Sequence, residues 1–355
     1  MFLHLFLMTF SFSGIENKSR VWCFQDSFPN YHYYHMEPKS RTVRTLVTKL
    51  SSVSERIRTD ALSELRQLSK DDPETRPMIS DSGAIPYIAE TLYSSSHLSQ
   101  DNAAATLLNL SISVKEPLMS TRSVLDGIAH ILSHHSTTSS AAAVQSSAAT
   151  IHSLLATVES FRSIVGSKRE IVYALVDILR SHNSTPPRTI KDALKALFAI
   201  SLYQLNRATV IHLGAVPALF SLIVKDGRVG IVEDATAVVA QVAGCEESAE
   251  AFRKVSGIEV LADLLDLATC ASMRTKENAV SALLNLVRFC GESVVSDVRE
   301  VLVDVVTALN GISDVAGRGS SKGKSKASEL LKVLFDESGG FSNSSGLSTE
   351  TSISI

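Results

Sequence analysis

Any catalysis by this chain would rest on a few side chains, and their spacing assembles no site. Gly323-Lys324-Ser325 ends like a phosphate-binding loop, but that motif needs a glycine five residues before its second glycine, and Arg318 stands there. His134-His135 falls at a helix end and His152 within a helix, and no Ser/His/Asp or Cys/His arrangement can be argued around them. Tyr31, His32, Tyr33, Tyr34 and His35 bring two imidazoles together without cysteine or carboxylate partners at ligand spacing. Cys23, Cys245, Cys270 and Cys290 contain no Cys-x-x-Cys pair and read as reduced thiols packed as small hydrophobes, as in the cytosol or nucleus. The sequence thus implies no metal, no cofactor and no reaction of its own. What remains is hydrogen bonding by amide side chains, above all Asn109 and Asn285, which occupy the same place in two copies of one phrase.

That phrase is Asn102-Ala-Ala-Ala-Thr-Leu-Leu-Asn-Leu-Ser111, and it returns as Asn278-Ala-Val-Ser-Ala-Leu-Leu-Asn-Leu286. Its spacing predicts a helix with an apolar face at Ala103, Leu107 and Leu110, and a small or polar stripe at 102, 105 and 109. Fainter copies begin at Asp60, Ser146, Asp192 and Asp234, so six copies recur every 42 to 46 residues. A period of that length signals a helical solenoid, in which each unit buries its apolar face only against its neighbours. A second phrase, Gly83-Ala-Ile-Pro86, returns as Gly214-Ala-Val-Pro217 and more faintly as Gly257-Ile-Glu-Val260. Glycine frees φ for a sharp turn, and proline suits the first turn of a following helix.

Each unit is therefore expected to hold a short helix, a glycine turn, a second helix (85–93, 216–224 and 260–267), a variable loop and the long third helix. The expected organisation is a non-repeat segment over 1–39, the repeats over 40–335 and a disordered Ser/Gly/Thr-rich tail over 336–355. The last unit reads as a degenerate cap, with Val298 to Leu309 as second helix and Lys326 to Leu334 as third, joined by a Gly/Ser/Lys-rich run. Arg318, Lys322, Lys324 and Lys326 in that run read as a solvated loop rather than a localisation signal.

Composition agrees with a solenoid. Hydrophobic residues make up 45% but aromatics only 6%, with one Trp, so the core is Ala, Leu, Val and Ile, which suits closely packed helices. A net charge of −3 gives no electrostatic case for nucleic acid. Met1 to Phe12 is apolar but shorter than the ~20 residues of a membrane span. A secretory signal ending near Ser13 is the weaker alternative, because the charged n-region is missing.

Gly-Ala-Ile-Pro followed at this spacing by Asn-Ala-Ala-x-x-Leu-Leu-Asn-Leu-Ser resembles the armadillo repeat, and most of all the armadillo region of plant U-box ubiquitin ligases, over roughly 40–335. The resemblance implies an all-α, right-handed superhelix of six repeats plus a C-terminal cap. In such ligases a U-box recruits the ubiquitin-conjugating enzyme. Residues 1–39 lack its Cys-Pro-Ile opening and its Pro-Val-containing core. The expected function is therefore a protein-interaction scaffold in ubiquitin-linked turnover or signalling. The alternative is an E3 ligase of the U-box type whose U-box is missing from this sequence.

The resemblance also implies a site. Third helices of armadillo proteins line a concave groove, where an Asn hydrogen-bonds the backbone of an extended peptide, since an amide carries both donor and acceptor. Here that column reads Gln67, Asn109, Ser153, Ala199, Gln241 and Asn285. Import adaptors place a Trp four residues before the Asn. Ala105 and Ser281 stand there, which disfavours that function. Seven residues before the column run Asp60, Asn102, Ser146, Asp192, Asp234 and Asn278. They read chiefly as helix caps, and otherwise as a polar-to-acidic groove suited to a Lys- or Arg-bearing partner, with Asn102 and Asn278 as further contacts. The partner is thus a protein segment, not nucleic acid or membrane, met in the cytoplasm or nucleus. The oligomeric state stays open.

Overall fold

The computed structural model describes residues 30–304 and 306–335, and every regular element among them is an α-helix. A leading unit contributes α1 (Asn30–Leu50) and α2 (Glu55–Asp71). Six further units follow. The first three are α3 (Thr75–Asp81), α4 (Ile85–Thr91) and α5 (His97–Ser111); α6 (Lys115–Ser120), α7 (Arg122–Ser133) and α8 (Ala141–Leu155); and α9 (Ser160–Ser167), α10 (Arg169–Arg180) and α11 (Pro187–Ser201). The last three are α12 (Asn206–His212), α13 (Ala215–Lys225) and α14 (Val229–Val242); α15 (Ser248–Arg253), α16 (Gly257–Leu265) and α17 (Met273–Phe289); and α18 (Glu292–Asp304), α19 (Val306–Arg318) and α20 (Ser321–Phe335).

Local signals start the third helices. Ser96, Ser140 and Ser272 are N-caps whose hydroxyls accept backbone N–H bonds from Ser99, from Ala142 and Ala143, and from Thr275. Pro187 opens α11, where its missing N–H costs nothing. Between first and second helices the chain turns at Gly83 and Gly214, whose φ of +76° and +83° lies in the left-handed region that glycine enters freely.

Packing then joins the units. Third helices lie in series from α2 through α5, α8, α11, α14 and α17 to α20, and second helices form a parallel row from α4 to α19. The core fills the space between the two rows: Leu107, Leu110, Ile131, Leu175, Leu179, Leu197 and Leu283 are all fully buried. Each inner third helix is wedged between two others and its own second helix, so burial extends well around it. In α17, Ala279, Val280, Ala282, Leu283, Leu284, Leu286 and Val287 are all buried. The alanines let neighbouring axes approach closely. This is an armadillo-type α-solenoid.

Four expectations need correction. The boundary at residue 40 falls inside α1, which begins at Asn30 and takes in Tyr31 to His35. In the last unit the Gly/Ser/Lys-rich run is not a joining loop: it passes through α19 and into α20, which begins at Ser321 rather than near Lys326. Gly257 is not a turn residue: Ser256 takes the left-handed conformation (φ 50°), and a Cβ on Gly257 would lie 2.8 Å from the Phe220 ring. Finally, the stripe at 60, 102, 146, 192, 234 and 278 sits within the third helices, so none of these residues is a cap. The apolar start of the chain, Cys23 and the tail over 336–355 lie outside the described residues.

Candidate partner-binding groove

The third helices present one face outward in register, and the amide column lies along it. Asn109 is half-buried on α5. Its Nδ2 donates to the Arg66 carbonyl (3.2 Å) and to Ser69 Oγ (3.0 Å), both on α2. Asn285 on α17 does the same four seams further on, its Nδ2 donating to the Ala240 carbonyl of α14 at 2.7 Å. Ser153 on α8 donates from Oγ to the Ser111 carbonyl at 3.2 Å. A carbonyl only accepts, so the NH2 end of each amide must face the preceding helix. The amide oxygens are left with acceptor capacity. The column is thus a set of inter-repeat ties as well as a row of polar groups.

The remaining positions diverge. Gln67 is exposed on α2 and bonds Asp71 of its own helix. Gln241 is half-buried on α14, and Ala199 is buried. Asn278 ties α17 to α14, its Nδ2 donating to the Glu233 carbonyl (3.1 Å) and Thr236 Oγ1 (3.2 Å). Asn102 is only 2% exposed, accepts from Arg66 Nη1 at 3.0 Å and so lies beneath the surface rather than on it. The structure brings Asn109, Gln241 and Asn285 onto one face and withdraws Asn102.

Three residues on that face, Lys195, Phe198 and Arg274, were not singled out from sequence, and His152 was read only as a helix residue. His152 (α8), Phe198 and Lys195 (α11) and Arg274 (α17) surround a cleft of about 260 Å³, completed by Leu194, Asp234 and Ala237. The available signal was helical spacing: Arg188, Lys191, Lys195, Phe198 and Leu202 recur every three or four residues along one side of α11 and beyond its end. Burial holds the His152 imidazole below its usual value; Lys195 and Lys115 push the same way, and Asp192 and Asp234 oppose them.

Arginines on first helices close the seams. Arg76 on α3 donates to the Ser69 carbonyl (2.8 Å) and Ser113 Oγ (3.3 Å), and Arg207 on α12 donates to the Ser201 and Gly244 carbonyls (both 3.0 Å). Each cation meets the carbonyl end of a third helix, where the dipole favours it.

The enzyme-like motifs dissolve in the fold. Gly323 to Ser325 lie inside α20 and form no phosphate loop. Burial, with the Glu247 side chain, pushes the Cys245 thiol up to about 12, so it stays protonated. Cys290 Sγ donates to the Cys245 carbonyl at 3.4 Å. Among the described residues no group of three or more His, Cys, Asp or Glu is placed to hold a metal, and no single helix is long and apolar enough to cross a membrane.

Comparison with known proteins matches this arrangement. The sequence profile of the plant U-box protein ARM repeat region matches residues 42–353. U-box domain-containing protein 17 of Arabidopsis thaliana and U-box domain-containing protein 4 of Oryza sativa subsp. japonica are each 36% identical over 301 residues, which is 84% of this chain and 39% of theirs. The chain thus spans about two-fifths of the length of these relatives. Among solved structures, an engineered protein superposes with a TM-score of 0.70 at 20% identity, covering 84% of this chain and 69% of its own. A repeated Gly-turn and Asn phrase, folded as stacked three-helix units and matched along nearly its whole repeat region, means that the chain belongs to the ARM repeat family of plant U-box proteins.

Proposed function

We propose that this chain is a protein-interaction scaffold that holds an extended segment of a partner along its third-helix face, in ubiquitin-linked turnover or signalling in the cytosol or nucleus. One observation carries the reading. The amides of Asn109 and Asn285 spend N–H donors on the preceding helix and keep their oxygens for a ligand. An extended backbone offers N–H groups at regular intervals, and a solenoid repeats its acceptors at regular intervals.

The test exploits Ser153, which keeps the inter-repeat bond without an amide. Asn109→Ser/Asn285→Ser should preserve the ties and remove the oxygens. Full-length wild type and variant are compared by affinity capture and quantitative mass spectrometry, beside their melting curves. We expect partners to fall at least about tenfold, the range of one or two lost buried hydrogen bonds, with melting nearly unchanged. Undiminished partners would move the binding surface elsewhere.

The relatives' names favour a second reading, in which the armadillo region serves an E3 ligase and selects what a U-box ubiquitinates. Ubiquitin transfer reconstituted with activating and conjugating enzymes tests it. The present chain should transfer none alone and should bind the protein that a U-box-bearing form modifies.

A further inference from the structure

The charges on the central third-helix face are sorted by height. Lys191 and Lys195 on α11 and Arg274 on α17 have side chains 42%, 45% and 61% exposed, and Arg188 at the start of α11 is exposed too. The carboxylates among them are sunk: Asp234, Asp192 and Glu233 are 13%, 15% and 21% exposed. The cations stand off these carboxylates, at 3.8 Å for Lys191–Asp234, 3.9 Å for Lys195–Asp192, and 3.8 and 3.7 Å for Arg274 to Glu233 and Asp234. Those separations exceed hydrogen-bond length, so the ammonium and guanidinium donors remain unspent. The acids are occupied from other sides. Asp192 accepts from Gln145 Nε2 at 2.8 Å, and Glu233 from Ser272 Oγ at 2.7 Å. Asp234 Oδ2 has no hydrogen bond but is buried beside Lys191 Nζ, so an approaching cation would meet Lys191 first.

From this layering we infer that the groove takes an acidic peptide: an extended segment whose Asp or Glu carboxylates meet Lys191, Lys195 and Arg274 while an apolar side chain rests on the half-buried Phe198 and Ala237. The inference rests on the groove reading above and reverses the Lys/Arg-bearing partner that the second reading of the sequence stripe, as a polar-to-acidic groove, would favour. The sunk carboxylates hold the cations upright without neutralising them, and four cations face three acids. A carboxylate arriving there replaces long ion pairs with charge-assisted hydrogen bonds.

The test selects a random twelve-residue display library on the full-length chain, then measures the enriched peptides synthetically. Enriched sequences should carry net negative charge and one large apolar residue. Replacing their Asp and Glu with Asn and Gln should weaken binding at least about tenfold, and so should Lys191→Gln/Lys195→Gln/Arg274→Gln. An equal charge loss away from the third helices, Arg169→Gln/Lys225→Gln on second helices and Lys254→Gln just past α15, should leave affinity within about twofold. Moving from 0.05 to 0.5 M salt should weaken the acidic peptides and spare their amide forms. Neutral or basic winners that still depend on Asn109 and Asn285 overturn the acidic class while groove binding stands. Winners indifferent to both sets of residues, or no enrichment, overturn the groove reading and this inference with it. Phosphorylated peptides that bind where their Asp or Glu counterparts do not would also overturn it.

Discussion

An amide on a third helix divides its atoms between two tasks. In Asn109 the NH2 group closes the seam to α2, so replacing it costs more than the loss of a surface group. Asn109→Ala should cost about 1 kcal/mol, the net worth of a hydrogen bond. Leu107→Ala, fully buried two residues away, should cost about 2–5 kcal/mol. Urea denaturation of both variants separates these values, and equal losses would mean the faces of α5 are misassigned. His152 adds a pH dependence. Its folded imidazole titrates below the ordinary value of about 6.5, so the fold favours the neutral ring. That contribution is complete above the unfolded value and is lost as pH falls through 6.5 toward the folded one, because the unfolded chain takes up the proton first. His130, also held low by burial and then by His134, acts in the same direction. The melting temperature should fall between pH 7.5 and 5.5, and less steeply in His152→Gln; parallel slopes would remove His152 from the account.

At the scale of elements, the sequence speaks clearly wherever a device repeats. Two complete copies of the Asn phrase located the third helices, and two Gly-Ala-x-Pro phrases located left-handed turns that the structure has at Gly83 and Gly214. It speaks less clearly where one position changes its device. At 256–257 the serine adopts the left-handed conformation, while the glycine admits the Phe220 ring. Nothing local distinguishes that from a glycine turn, because the reason lies in the neighbouring unit. The site shows the same division. The amide column was legible as periodicity, but whether an amide or an acid reaches solvent depends on the helix beside it, which is why Asn102 read as a contact and the sunk aspartates read as caps or, failing that, as an acidic groove. These turns permit a paired experiment. Gly214→Ala puts an L residue at φ +83° and a Cβ 2.4 Å from Arg180 Nη2, and should cost about 1–2 kcal/mol. Ser256→Gly relieves the same kind of strain and should gain up to about 1 kcal/mol, reduced by the freedom glycine adds to the unfolded chain. Thermal melts of the two variants should shift in opposite directions; a shared sign would mean that side-chain contacts outweigh the backbone there.

At the scale of the molecule, a solenoid has no single core whose loss is felt everywhere. Each seam is closed by contacts between adjacent units: amides between third helices, arginines such as Arg207 that bridge the carbonyl ends of α11 and α14, and ion pairs such as Arg253–Asp297 at 2.6 Å. Stability is then close to a sum of unit terms and nearest-neighbour terms, so damage at one end should stay local. The last unit offers the cleanest case. Leu330 of α20 is fully buried, and α20 packs on α17 and α19. Leu330→Asp places a charge among apolar side chains with no partner, a cost that a terminal unit escapes by unfolding alone. Hydrogen exchange read by mass spectrometry should then show lost protection over 292–335, partial loss in α17, which forfeits one flank, and unchanged protection from α2 to α11. Loss spread evenly over all units would instead make the array one cooperative body, and the groove could not be treated as a row of separable seams. Local loss would allow the partner's segment to be mapped unit by unit, with α5 to α17 retained as the part that binds.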